Sequence, residues 1–165
     1  MKKIGWLLLI AVFALLGCEK DDICDSATST TPMAVIEFYN AANQTTLKNV
    51  TNLVVVAPGF TEGFLFTGVS KIKVPLKTME NITQLQFIEN GGTTDLSDDN
   101  IDELQFTYTL NDIFVSRACG FKRVFNLTNT NTNLITLDTD NWMTSCVIAQ
   151  PNIETENETH IKIYF

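Results

Sequence analysis

Glu103-Leu104-Gln105-Phe106-Thr107-Tyr108-Thr109-Leu110-Asn111-Asp112-Ile113-Phe114-Val115-Ser116 is the stretch that decides the fold. From Glu103 to Leu110 every second residue is apolar and every other one polar. Successive side chains of a strand point to opposite faces, so this period of two puts Leu104, Phe106, Tyr108 and Leu110 against a core and Glu103, Gln105, Thr107 and Thr109 toward water. Asn111-Asp112 then reads as a two-residue turn, since both residue types tolerate positive φ, and 113–116 runs back antiparallel. In that register Leu110 faces Ile113, Tyr108 faces Val115 and Leu104 faces Cys119. Cys119 is thereby placed on the core side, unless a bulge at Gly120 shifts it.

Outward from this stretch the signal stays β. Residues 34–39 alternate, with Ile36 and Phe38 on one face and Glu37 on the other. Residues 53–57 are apolar on both faces, as in a central strand, and stop at Pro58-Gly59. Residues 71–74 alternate up to Pro75, and 83–88 continue the pattern before Gly91-Gly92. Residues 121–127 and 134–137 flank an Asn/Thr loop and read as a second hairpin, 146–149 as a short strand. The last strand, 160–165, is expected to turn Ile161, Ile163 and Phe165 inward and His160, Lys162 and Tyr164 outward. About eight strands separated by turns predict an all-β domain, a single antiparallel β-sandwich of Ig-like or similar type, with a small barrel as the alternative.

The amino-terminal part follows different rules. Met1-Lys2-Lys3 is positively charged, and 6–16 is an unbroken apolar run of eleven residues. A membrane-spanning helix needs about 20, so the run is too short to span and reads as the core of an export signal. Leu15-Leu16-Gly17-Cys18 places a small residue before a cysteine with apolar residues ahead of it. That is the lipobox pattern: the Cys18 thiol takes a diacylglycerol and the signal is cut before it. The expected organisation is a signal peptide over 1–17, a flexible tether over 18–32 and a β-sandwich domain over 33–165. The tether expectation rests on Glu19-Lys20-Asp21-Asp22 and the small polar run 26–31, which have no apolar period.

The chain carries 11 Lys and Arg against 19 Asp and Glu, a net charge of −8. Removing 1–17 takes away two lysines and no acid, leaving −10. Such a chain has little to neutralise phosphates with, so no nucleic-acid partner is expected, and no polybasic patch for lipid headgroups. The expected partners are a membrane, through the lipid anchor, and an envelope protein or glycan held near it. The expected location is the outer membrane, on its periplasmic face or the cell surface. Thr and Asn make up a quarter of the residues after 17, which suits polar strand faces and turns and does not suit helices.

With Cys18 committed to lipid, Cys24, Cys119 and Cys146 remain, and an oxidising compartment predicts one disulfide among them. Cys24–Cys119 is preferred because it would fasten the tether to a strand, with Cys119–Cys146 close behind. The spacings and a single histidine, His160, do not make a zinc site. Catalysis by a Ser/His or Cys/His pair would have to use His160, which the alternation sends to the outer face. Asp95, Asp98, Asp99, Asp102 and Glu103 cluster around Ser97 and Asn100. They lack the glycine and terminal glutamate of a helix–loop–helix calcium loop, so a solvated loop is the reading and calcium the alternative. No cofactor, no catalytic residue and no enzyme activity is expected; a hydrolase or glycan-processing accessory using the acidic loop is the alternative. Trp142, the one tryptophan outside the signal, reads as a partly buried strand residue. Five Asn-x-Thr triplets, starting at Asn43, Asn49, Asn81, Asn126 and Asn157, are expected by composition alone.

Four segments carry a resemblance: Cys18-Glu19-Lys20-Asp21-Asp22-Ile23-Cys24, Ile36-Glu37-Phe38-Tyr39, Val115-Ser116-Arg117-Ala118-Cys119-Gly120-Phe121, and His160-Ile161-Lys162-Ile163-Tyr164-Phe165. Together they resemble a family of small, functionally uncharacterised Bacteroidota lipoproteins. The resemblance implies identity and location and brings no activity. Lys20-Asp21-Asp22 also resembles the acidic signal that sends lipoproteins of that phylum to the cell surface, with a plain charged tether as the rival reading. Asp25-Ser26-Ala27 resembles their three-residue O-glycosylation motif.

Overall fold

A computed structural model describes residues 23–131, 134–136 and 139–165. The expected signal peptide 1–17, the lipidation site Cys18 and Leu137 lie outside the described residues. Within them there are eleven strands and no helix: β1 (Ala34–Tyr39), β2 (Leu53–Val56), β3 (Phe64–Phe66), β4 (Lys71–Val74), β5 (Ile82–Glu89), β6 (Asn100–Ser116), β7 (Gly120–Leu127), β8 (Ile135–Thr136), β9 (Ser145–Ile148), β10 (Asn152–Ile153) and β11 (Ile161–Tyr164). They form an all-β sandwich of two sheets. One has the order β4-β1-β11-β9; the other has the order β10-β7-β6-β5-β2-β3, with β8 also on β6. Neighbouring strands pair antiparallel with one exception: β1 and β11 run parallel, Ile36 opposite Ile161 and Phe38 opposite Ile163. A parallel pair needs a long connection, and here that connection is almost the whole domain.

One core lies between the sheets. Ile36, Phe38, Ile72, Val74, Ile161 and Ile163 from the smaller sheet meet Leu53, Val55, Phe87, Leu104, Phe106 and Phe125 from the larger, all buried. The alternation over 103–110 is therefore the alternation of core and surface. Within the core sits one closed polar unit. The Lys77 amide donates to Thr83 Oγ1 at 2.8 Å, the Tyr108 hydroxyl donates to the Lys77 carbonyl at 2.8 Å, and Thr83 Oγ1 lies 2.6 Å from the Tyr108 hydroxyl. Tyr108 has one hydroxyl proton and gives it to Lys77, so Thr83 must donate to Tyr108. Replacing Tyr108 with Phe leaves the buried Thr83 hydroxyl without its acceptor; urea denaturation should show a loss of about 1–2 kcal/mol.

Asn111-Asp112 is not a turn. β6 runs straight through it for 17 residues, with Asn111 opposite Val124 and Asp112 opposite Arg123. Among the described residues positive φ occurs at Asn52, Asn90, Gly59, Gly68 and Gly120 and not at Asn111 or Asp112; the reversal comes at 117–119, released by Gly120 at φ 69°. A register shift lies between Phe114 and Ser116. Leu110 accordingly faces Phe125, and Tyr108 faces Leu127. Leu104 has Leu85 on one side and Ile135 on the other. Cys119 sits in the turn and not opposite Leu104. The second expected hairpin is also corrected: β7 and β8 do not pair with each other, and both lie against β6. The short strands β3 and β10 carry too few residues to show a period.

His160 is 1% exposed, against the expectation that it faces outward on the surface. It does lie on the side of the sheet away from Ile161, but residues 154–159 pass over that side. Its Nδ1 accepts the Val35 amide at 2.9 Å, and its own amide donates to the Val35 carbonyl at 3.0 Å. Burial pushes the imidazole pKa down, opposed by the charges of Glu158 and Glu156 and by the Thr155 backbone. A histidine with a lowered folded pKa binds its proton more readily in the unfolded chain. Its contribution is complete above the ordinary pKa of about 6.5 and is lost as pH falls below it. Stability should therefore fall below about pH 6.5 in urea titrations, and His160→Ala should remove that part of the pH dependence. The same variant should cost about 1–3 kcal/mol by leaving the Val35 amide without an acceptor.

Candidate functional site

Beyond Asn111 and Val124 the β6–β7 pair leaves the core as a two-stranded hairpin, and its tip is the candidate site. Local chemistry builds it from the body outward. Arg123 holds Asp112 with two parallel bonds, Nε to Oδ1 at 2.7 Å and Nη2 to Oδ2 at 2.8 Å. The guanidinium keeps the Asp112 carboxyl below its usual range, and Nη1 reaches the Thr78 carbonyl. This fork ties the hairpin to the β4–β5 connection. Past it, Phe114 and Phe121 face each other across the strands, ring centroids 5.3 Å apart and nearly edge to face. They are 58% and 68% exposed. Ile113, also exposed, points to the other side of the ribbon, opposite Lys122.

The amino-terminal segment is fastened to this tip. Cys24 and Cys119 are joined by a disulfide across a sequence separation of 95. From there the chain runs back along β7 to the body, where Ser29 Oγ accepts from Lys122 Nζ at 3.1 Å. Further on, Thr31 Oγ1 accepts the Arg123 amide at 3.0 Å. Ile23, beside the disulfide, is 73% exposed. A shallow open groove of about 940 Å³ lies between the segment and the turn, lined by Ile23, Asp25, Thr28, Ser116 and Arg117 around the bridge. The Asp25-Ser26-Ala27 triplet lies here, exposed, with the Ala27 amide donating to Asp25 Oδ1.

The other candidates end up elsewhere. Asp102 does not join a calcium loop: it is 0% exposed, and its carboxylate accepts the Met143 amide at 2.8 Å and the Trp142 amide at 3.3 Å. A core-facing position in the alternation of β6 is what takes it inside. Asp95 Oδ1 is turned to Ser97, accepting its amide at 2.9 Å and its hydroxyl at 2.7 Å, and these bonds lower its pKa. Thr93 Oγ1 lies 3.4 Å from Asp98 Oδ1. Among the described residues no group of three His, Cys, Asp or Glu side chains converges as metal ligands. Trp142 is half-buried on a bend and not in a strand, its Nε1 donating to the Phe87 carbonyl at 3.1 Å. Cys146 is a buried free thiol; burial, and then the nearby Asp102 charge, push its pKa far up. Such a thiol is a poor nucleophile.

Phe114 and Phe121 were not among the residues singled out from sequence. The signal for them was present: Ile113-Phe114-Val115 is apolar on both faces, just after a strand that alternates strictly. Reading it as the returning arm of a hairpin sent Ile113 and Val115 to the core side and left Phe114 on the outer face opposite Thr109.

No curated protein and no solved structure matches this chain. A family model does match residues 52–165, from just before β2 to the carboxyl terminus. That match covers most of the sandwich, including the β6–β7 hairpin, and on it the chain belongs to DUF6452, a family of unknown function.

Proposed function

We propose that this chain is a lipid-anchored protein of a bacterial cell envelope, of the Bacteroidota type, whose sandwich is a non-catalytic binding or structural module. The observation that carries the reading is Leu15-Leu16-Gly17-Cys18 behind a short apolar run. The Cys24–Cys119 bridge supports it, because such a bond persists in the oxidising compartments that an export signal leads to. The anchor is in the outer membrane. A protein or glycan partner is taken by the loops or by the free edge of β3, where Phe64 and Leu65 are exposed; an uncovered sheet edge is a template for a further strand. A glycan-processing role through the acidic loop draws no support from Asp95 and Asp102, one turned to Ser97 and the other buried.

Metabolic labelling with palmitate tests the reading. The wild-type chain should incorporate label and sediment with outer-membrane vesicles, and Cys18→Ala should incorporate none. Equal labelling of both chains, or none of either, would contradict it.

A further inference from the structure

We propose that the β6–β7 tip is a membrane-contacting element. Ile23, Phe114 and Phe121 enter the headgroup–acyl boundary of the bilayer that holds Cys18, so the domain stands on the membrane with its β5–β6 turn pointing away. This deepens the proposed function and rests on the Cys18 anchor.

The geometry comes first. Cys24 lies six positions after Cys18, and an extended chain covers about 3.3–3.6 Å per residue, so the bridge lies within roughly 20 Å of the acylated residue. The disulfide makes that a constraint on the tip itself, and not on a free tether. Without it the strap would be held to β7 only by side-chain bonds at Ser29 and Thr31 before it enters β1, ten positions after Cys24. Met79 on the β4–β5 connection is exposed beside the tip, where its sulfur lies 3.9 Å from Arg123 Nη1 and it lines one surface hollow with Phe121.

The chemistry fits lipid better than a second protein surface. A protein partner covers one face, whereas here the apolar residues stand on both faces of the ribbon and on the strap beside it: Phe114 and Phe121 on one, Ile113 on the other, Ile23 next to the bridge. A ribbon end inserted in a bilayer is surrounded on all sides. Charge does not oppose it. In a chain of net −8, Arg117, Lys122 and Arg123 at the described tip stand against Asp25, Asp112 and Glu154, whose carbonyl accepts from Lys122 Nζ. This end is therefore close to neutral, and its cations can meet lipid phosphates. Glu19-Lys20-Asp21-Asp22, between anchor and bridge, has the polarity of a spacer in the headgroup layer.

The experiment uses the purified lipidated chain in vesicles of phosphatidylethanolamine and phosphatidylglycerol, with or without bromine on the acyl chains. Phe121→Trp puts a probe at the tip, and Leu96→Trp puts one on the exposed β5–β6 loop at the opposite end. Native Trp142 follows Asp102, twelve positions along β6 from Phe114 or roughly 40 Å at 3.3 Å per residue, and provides the background in both chains. A ring ~5–10 Å into the boundary is within contact quenching range. The added emission of Phe121→Trp should be blue-shifted and fall by about half or more on bromination, and that of Leu96→Trp should not change. A protein that floats with the vesicles while neither probe is quenched overturns the tip contact and leaves the anchor standing. Equal quenching of both probes overturns it too, because the domain would then have no fixed orientation. Failure of the wild-type chain to float removes the anchor and the tip contact with it.

Discussion

Cys119→Ser should lower the stability of the domain by about 2–5 kcal/mol, the largest single loss expected in this molecule. The bridge closes a loop spanning a sequence separation of 95. In the chain-entropy picture, a cross-link over about 100 residues restricts the unfolded chain by about 4.7 kcal/mol, and residual structure in that chain reduces the figure. The loss is not spread evenly. The strap from Cys24 to Thr31 keeps only side-chain bonds such as those from Lys122 and Arg123, so it should detach well before the sheets open. Urea denaturation measures the total. Cys24→Ser should give the same midpoint, the double variant should add nothing, and dithiothreitol should shift the wild type to that midpoint while leaving the variants unmoved. A wild type insensitive to reductant would contradict the bridge.

Asp102→Ala should cost about 2–4 kcal/mol. A carboxylate taken out of water is expensive, and it persists where amide donors replace its hydration. Here the Met143 and Trp142 amides do so, holding the bend before β9 against β6. Alanine leaves those donors buried without the carboxylate that accepts them. Asp102→Asn keeps one acceptor oxygen but turns an amide donor toward the second N–H, so it should recover only part of the loss. Cys146 supplies a direct readout. Its thiol is buried and held protonated by that burial and by Asp102, so alkylation of Cys146 reports opening of this region. The rate of labelling by iodoacetamide should rise in Asp102→Ala by about tenfold for each ~1.4 kcal/mol of stability lost in urea. Unchanged labelling in a destabilised variant would mean that the bend stays closed without the carboxylate.

These two sites show what the sequence displayed and what it concealed. Fold class was legible because 103–110 alternates without a break; the same rule located β1, β4, β5 and β11 nearly to the residue, and a run apolar on both faces located β2. The turn was misplaced because Asn and Asp can serve either as turn residues or as polar strand positions. Only the cross-strand partners, Val124 and Arg123, decide between the two. His160 follows a second pattern. Alternation tells which face a residue is on, and it does not tell whether another segment covers that face, as the segment with Thr155, Glu156 and Glu158 does here. Asp102 was legible by alternation itself, two positions before Leu104 on the same face, and the run of acids around it drew the reading to a loop instead. The tip aromatics were hidden by the misplaced turn, which put Phe114 on the outer face of a returning arm and made Phe121 the start of a separate strand instead of its cross-strand partner. The parallel pairing of β1 with β11 has no local signature, because it joins residues more than a hundred positions apart.

The anchor carries the account, and intact mass spectrometry of the chain extracted from membranes tests it most directly. The account predicts a polypeptide that starts at Cys18, heavier than the sequence from 18 to 165 by a diacylglycerol and with the Cys24–Cys119 bond intact. A chain that still begins at Met1, or one cut before an unmodified Cys18, would contradict it.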